Sequence, residues 1–203
     1  MASMRITIIR HGEKPDDQGD PPISVLTAGD KGVDNLNTRG WQRAGALVRF
    51  FAPHGGDHAD RPASLFAAQA DQSSPSLRTQ QTIQPLAEFL GAHDAAGDAS
   101  APMPITTPAL PDGVGPAATA ILEGASPVLV CWEHKNIAKL VGAITGDATL
   151  APHWSGDRFD VALVLEQHHG AWSLTQTPQL LLAGDSSKPL RARKEKDGVM
   201  EDR

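Results

Sequence analysis

The chain has 203 residues, enough for one domain with a sizeable core, and its 24 acidic and 18 basic residues give a formal charge of −6. This balance argues against nucleic acid and anionic membranes as partners, because both select basic surfaces. Cys131 is the single cysteine, which excludes an internal disulfide, and no signal-peptide pattern or run of about 18 apolar residues occurs, so we expect a cytoplasmic protein.

Short β-branched or apolar runs alternate along the chain with segments of helical periodicity. The predicted strands cover residues 4–9, 64–68, 105–107 and 127–132, and the predicted helices cover residues 38–51, 76–90, 116–123 and 136–145. Thr38 is placed to cap the first helix, and Pro85 should kink the second helix or split it in two. Residues 159–167 and 171–177 flank His168-His169-Gly170 and predict a β-hairpin.

This alternation predicts the α/β fold class, a three-layer sandwich in which a mostly parallel sheet carries helices on both faces. The late hairpin adds one or more antiparallel edge strands. We expect this domain to span residues 1–185 and a charged C-terminal tail, loose or held by a partner, to span residues 186–203. Residues 13–36 are rich in Asp, Gly and Pro and predict a long surface loop of functional or mobile character.

Two histidines follow the two best-defined strands directly. His11 comes after the first strand, and His134 comes after the strand at residues 127–132. Because ligands of such sheets bind beyond the carboxyl ends of parallel strands, both side chains should reach one rim. Arg10 precedes His11, Gly12 removes a side chain where a ligand would approach, and Arg78 begins a helix at the same rim.

These residue types suit phosphoryl transfer. A neutral imidazole is a competent nucleophile towards phosphorus, and the reaction needs mainly positioning and positive charge around the equatorial oxygens. Guanidinium groups bind those oxygens in pairs and stay charged at any working pH. Arg10, His11, Arg78 and His134 are therefore the candidate constellation around one phosphate, with no metal and no other cofactor.

Four stretches of the sequence resemble motifs of the histidine phosphatase superfamily, whose fold is called phosphoglycerate-mutase-like. In chain order they read IIRHGEKP, LNTRGWQRA, SLRTQQTIQPLAEFLG and VLVCWEHKNI, at residues 8–15, 36–44, 76–91 and 128–137. The resemblance implies a phosphatase of the RHG type in which His11 carries the phosphoryl group. It also implies that Arg10, Arg78 and His134 bind and neutralise that group.

The proton donor for the leaving group is an open choice at this stage. The resemblance points to a carboxylate on the loop after the third strand, where Asp112 stands, although the family more often has Glu there. Glu13 in the first motif and Glu133 beside His134 are rival candidates. A carboxyl group needs a raised pKa to act as an acid near neutral pH.

Several alternatives share these residues. The leading hypothesis is hydrolysis of a small phosphorylated substrate, while a phosphohistidine-protein phosphatase would use the same four side chains on a phosphoprotein. Lys14-Pro15 stands where the mutases of the family have Ser or Thr before Asn, which disfavours a phosphoglycerate-type mutase. A non-enzymatic phosphate-binding scaffold with the same fold is disfavoured by the intact constellation, and a metal site at His54, Asp57 and His58 matches no specific spacing.

Overall fold

The computed structural model describes residues 3–15, 23–53, 61–93 and 101–193, together with the backbone of residues 195–196 and 199–200. The chain forms a sheet with helices on both faces, which confirms the predicted α/β sandwich. Its strands are β1 (Met4–Arg10), β2 (Ser64–Ala67), β3 (Ile105–Thr106), β4 (Val128–Trp132), β5 (Val161–His168), β6 (Ala171–Pro178), and the short pair β7 (Glu195–Lys196) and β8 (Val199–Met200). Its α-helices are α1 (Thr38–Phe51), α2 (Arg78–Ala92), α3 (Val114–Leu122) and α4 (His134–Thr145).

The main sheet has the strand order β3-β2-β4-β1-β5-β6. The first four strands in this order are parallel, and β5 runs antiparallel to both of its neighbours. The hairpin therefore places one reversed strand inside the sheet and β6 at its edge. In the β1–β4 register Arg10 lies opposite Trp132, so both strands end at the same level.

Each face of the sheet carries its own apolar core. Alternate residues of β4 point to opposite faces, as the two-residue period of a strand requires. Val130 packs with Leu140 of α4 on the α3–α4 side. Leu129 packs with Leu47 of α1 and Leu86 of α2 on the other side. Both faces of the central strands are buried, which explains why they read as continuous apolar runs.

The helix boundaries correct three details of the sequence prediction. Asn37, not Thr38, caps α1, because its side-chain oxygen accepts a hydrogen bond from the backbone N–H of Gly40. α2 continues through Pro85 without being split; its buried face packs on the sheet on both sides of the proline, through Ile83 before it and Leu86 after it. α3 begins two residues before Pro116, whereas Gly146 ends α4 at φ 80° as predicted.

Two segments expected to be loose are attached to the body where the structure describes them. Residues 23–37 fold back on themselves through bridges between Ser24 and Asn37 and between Val25 and Lys31, so only part of the predicted loop is irregular. In the predicted tail Leu190 is buried, and its N–H donates to the side chain of Gln176 on β6. The domain boundary at residue 185 stays a prediction, and the disfavoured alternative of a metal site at His54, Asp57 and His58 lies outside the described residues.

Candidate active site

The residues predicted to meet at one rim of the sheet do lie together. His11 directly follows β1, His134 begins α4 directly after Glu133 at the end of β4, and Arg78 is the first residue of α2. The positive charges of Arg10 and Arg78, and His134 itself, all act electrostatically on His11. The shared rim follows from the parallel β1–β4 pairing, which puts the ends of both strands side by side.

Arg10 is a buried cation whose guanidinium is hydrogen-bonded on one side and has no acceptor among the described residues on the other side. Only 1 % of the residue is exposed, and its Nη1 donates to the carbonyl oxygens of Ser155, Gly156 and Arg158 at 3.3, 2.9 and 2.9 Å. Neither Nε nor Nη2 has an acceptor among the described residues. Buried donors are normally paired, so an unpaired guanidinium edge marks the place where an oxyanion would bind.

The surroundings of Arg10 also fix the plane and the charge of its guanidinium. The Phe159 ring lies 3.8 Å from the guanidinium carbon, in a cation–π contact. Burial lowers the pKa of Arg10 to about 10, while Glu13, Asp157 and Glu133 oppose this shift with their negative charges. Arg10 therefore keeps its positive charge at neutral pH although it is nearly inaccessible to water.

His11 is held as a neutral imidazole of known tautomer. Its Nδ1 lies 2.7 Å from the carbonyl oxygen of Gly12, and since a carbonyl can only accept, Nδ1 carries the proton. Nε2 is then left with its lone pair. Burial, followed by the charge of Arg10, lowers the pKa of His11 to about 3, although the bond to Gly12 acts in the opposite direction. This is the protonation state that a nucleophilic imidazole needs.

Gly12 has a structural role, while its predicted contact with a ligand stays a prediction. Its N–H donates to Thr82 Oγ1 at 2.8 Å, and Thr82 in turn donates to the carbonyl oxygen of Arg78 at 2.7 Å. A Cβ at residue 12 would lie 3.0 Å from the Gly40 carbonyl oxygen, so the glycine permits close packing of β1 against α1. Thr82 thereby joins the His11 turn to the first turn of α2.

Arg78 and His134 bring further positive charge and a hydrogen-bonding group to the rim. The Arg78 guanidinium is oriented by the carbonyl oxygens of Asn35 and Val33, which accept from Nε and Nη2 at 3.1 and 3.0 Å. His134 is half-buried, and burial, followed by the charge of Arg10, lowers its pKa to about 4. Its Nδ1 is buried and has no hydrogen-bond partner among the described residues.

The three candidate acids occupy different environments. Glu13 is a partner in buried ion pairs, because its carboxylate accepts from Arg43 at 2.8 Å and from Arg39 at 3.2 Å, which gives it a structural role. Glu133 stands at the N-cap position of α4 without a side-chain capping bond, its carboxylate accepts from the Asn136 side chain at 3.0 Å, and its charge reaches Arg10. Asp112 is exposed in the turn before α3.

Glu13 belongs to a larger network that connects the His11 turn to the C-terminal part of the domain. Arg43 of α1 bonds both Glu13 and Asp185, the latter at 2.8 Å, and also donates to the side chain of Gln179 at 2.9 Å. The Glu13 carbonyl oxygen accepts from the N–H of Asn37, the cap of α1. The turn after His11 is therefore fixed by both backbone and side-chain bonds.

Several of these supporting residues were not predicted from the sequence. Thr82 had a local signal, since it ends the stretch SLRTQQT at residues 76–82 of the third motif and stands one helical turn after Arg78. Phe159 and the carbonyl oxygens of Ser155, Gly156 and Arg158 had none, because they contact Arg10 from nearly 150 positions away in the chain. Within the described residues no three His, Cys, Asp or Glu side chains are arranged to hold a metal ion, and no helix is long and apolar enough to cross a membrane.

No protein-family model and no curated protein sequence matches the chain. Among solved structures it is similar to a mycobacterial glucosyl-3-phosphoglycerate phosphatase, with 16 % identity, 85 % of this chain and 97 % of the other covered, and a TM-score of 0.49. It is also similar to the α-ribazole phosphatase of Shigella flexneri, with 13 % identity, 85 % of this chain and 95 % of the other covered, and a TM-score of 0.49. A third similar structure is a phosphoserine phosphatase of Entamoeba histolytica in complex with phosphoserine. It has 14 % identity, the match covers 84 % of this chain and 94 % of the other, and the TM-score is 0.46.

Proposed function

We propose that the protein is a phosphatase that hydrolyses phosphomonoesters through a covalent phosphohistidine on His11, without a metal or another cofactor. The observation that carries this proposal is the unpaired Nε–Nη2 edge of buried Arg10 beside a neutral His11. The two N–H groups of that edge can donate hydrogen bonds to two oxygens of one phosphoryl group. Arg78 and His134 would complete the contacts to the phosphoryl group, as the sequence motifs imply.

The proposed reaction has two steps. In the first, the Nε2 lone pair of His11 forms a bond to phosphorus while the ester P–O bond breaks, and the leaving oxygen takes a proton from a carboxyl group. In the second, a water oxygen bonds to phosphorus while the N–P bond breaks and its electrons return to Nε2. One proton of the water passes to the carboxylate, and the other stays on the released phosphate. Arg10 keeps its charge throughout and stabilises the negative charge on the phosphoryl oxygens.

Hydrolysis of p-nitrophenyl phosphate by the wild type and by His11→Ala, both in EDTA, tests the nucleophile. We expect wild-type turnover that EDTA does not reduce and no turnover above background in the variant. His168→Ala, which removes an exposed histidine at the end of β5, is the matched control and should keep full activity. Equal rates for the wild type and His11→Ala would refute the proposal.

The proton donor can be identified by varying the leaving group. Nitrophenolate leaves without protonation, whereas an alkyl alkoxide requires a proton, so loss of the acid should spare the first and slow the second by about 10²–10⁴-fold. Asp112→Asn and Glu133→Gln would each be assayed on p-nitrophenyl phosphate and on glucose 6-phosphate. The acid is the residue whose variant lowers kcat/KM, which reports the first step, far more for the sugar phosphate than for the nitrophenyl ester, and an equal loss of kcat/KM on both esters would exclude it.

A further inference from the structure

A groove of about 620 Å³ begins at His134 and runs along the first turns of α4. Its floor is formed by α4, its far wall by Pro152 to Gly156, and Arg193 lies at its edge. A volume of this size falls in the range of small-molecule sites, about 300–1,000 Å³. We refer to it as the α4 groove.

The α4 groove adjoins the proposed phosphate site at His134. His134 lines the groove and is also one of the residues that act on His11. Trp154 in the groove wall donates from Nε1 to the Arg158 carbonyl oxygen at 2.8 Å, the same oxygen that anchors Arg10. A substrate with its phosphoryl group at Arg10 would therefore extend its remaining atoms directly into the groove.

The charge of the α4 groove is opposite to that of the whole chain. Lys135, Lys139 and Arg193 line it together with His134 and His153, whereas the chain carries a formal charge of −6. No carboxylate is among the described residues that line it. The nearest carboxylates in sequence, Glu133 and Asp157, do not line the groove and accept hydrogen bonds from Asn136 and Ser155.

Lys135 and Lys139 stand one helical turn apart on α4, so both ammonium groups can face the same ligand. Both residues are exposed, and neither forms an ion pair with a described carboxylate. Lys135 and the nearby His153 both act electrostatically on His134 and contribute to lowering its pKa. Two adjacent like charges repel each other, and an anion between them would relieve that repulsion.

We propose that the α4 groove is a second anion-binding subsite and that the substrate is a small phosphomonoester with an additional phosphate or carboxylate group. This proposal rests on the proposed phosphate site at His11. The second anionic group would lie between Lys135 and Lys139 while the reacting phosphoryl group lies at Arg10. The subsite would thus favour substrates that carry a second negatively charged group in addition to the reacting phosphate ester.

Equilibrium binding to His11→Ala, which should bind esters without turning them over, tests the subsite by titration calorimetry. Two matched ligand pairs separate the possible anions: O-phosphoserine against O-phosphoethanolamine for a carboxylate, and glucose 1,6-bisphosphate against glucose 6-phosphate for a phosphate. Because each exposed ion pair is weak, we expect the more anionic member of at least one pair to bind roughly tenfold tighter. This preference should disappear in His11→Ala/Lys135→Gln/Lys139→Gln and shrink at high salt.

Lys31→Gln in the His11→Ala background is the matched control, because Lys31 is an exposed lysine outside the groove, and it should keep the preference. Circular dichroism would verify that each variant is folded. Equal affinity within both pairs, or a preference that survives the double lysine substitution, would overturn the subsite. Tighter binding of an acidic phosphopeptide than of every small ester would also overturn it. A failure of the proposed function alone would appear differently, as wild-type protein that binds these esters without hydrolysing them.

Discussion

Arg43→Met should lower the free energy of unfolding by about 3–5 kcal/mol, because it breaks the buried ion pairs to Glu13 and Asp185 and leaves both carboxylates only the more exposed Arg39. The Arg43 side chain is 2 % exposed, and those of Glu13 and Asp185 are 10 % and 3 % exposed. Burial by itself would lower the pKa of Arg43, but its hydrogen bonds to Asp185 and Glu13 outweigh burial and raise that pKa. A domain is stable by only about 5–15 kcal/mol, so this loss is a large fraction of the total.

The contribution of Asp185 can be worked out separately. Burial alone would raise its pKa, but the hydrogen bonds from Arg43 and from the N–H groups of Leu182 and Leu181 outweigh burial and lower the pKa from 3.8 to about 2. A shift of nearly two pKa units corresponds to about 2 kcal/mol. Because the pKa is lowered in the folded state, this stabilisation is present above the unfolded pKa and is lost as pH falls from about 4 to about 2.

Urea unfolding at pH 7 and across the acid range measures both effects. We expect the Arg43→Met midpoint at pH 7 to drop by about 1–2 M and the acid dependence of stability to flatten. Arg49→Met, an exposed arginine in the last turn of α1, is the control and should shift the midpoint little. Neutralising Asp185 as Asn in the Arg43→Met background should recover part of the loss. A midpoint no lower than that of the Arg49 variant would refute the ion-pair reasoning.

Three further predictions concern the site itself. Arg10→Lys should reduce kcat/KM by about 10²–10³-fold, because lysine keeps the charge but lacks the two adjacent N–H groups of Nε and Nη2. The control Arg5→Lys, on the same strand, should leave kcat/KM nearly unchanged. Steady-state kinetics on p-nitrophenyl phosphate measures both effects. Gly40→Ala should destabilise the protein by about 1–3 kcal/mol in thermal unfolding, because its Cβ would overlap the Glu13 carbonyl oxygen, whereas Gly45→Ala has open space and should stabilise. The His11 imidazole should stay neutral down to about pH 4 in an NMR titration, since its pKa is about 3, and a midpoint near 6.5 would contradict the described burial.

The sheet and the rim of the site could be predicted because local patterns encode them. Alternating apolar strands and amphipathic helices specify a layered α/β fold, and parallel strands deliver the residues after their carboxyl ends to one edge. His11 and His134 met this condition, and the β1–β4 register places Arg10 opposite Trp132. The first turn of α2 brings Arg78 to the same rim for the same geometric reason.

The environment of each of these residues could not be predicted, because it depends on contacts between distant parts of the chain. The orientation of Arg10 is set by carbonyl oxygens 145–148 positions away, and the pair Arg43–Asp185 spans 142 positions. The periodic spacing of apolar residues carries no information about contacts between such distant residues. The same limit applies to the packing of Gly12 against Gly40 of α1, which the sequence did not predict.

Glu13 shows how this distant context decides between chemical roles. Beside His11 in the sequence it was a reasonable proton donor, yet Arg43 and Arg39 both donate to its carboxylate. An acid must hold a proton before the reaction and reach the leaving group, whereas a carboxylate shared by two guanidinium groups is held as an acceptor on the α1 side. Removing it would loosen the His11 turn and lower activity on every ester alike. The proton donor is therefore to be sought at Asp112 or Glu133, where no arginine is paired with the carboxylate among the described residues.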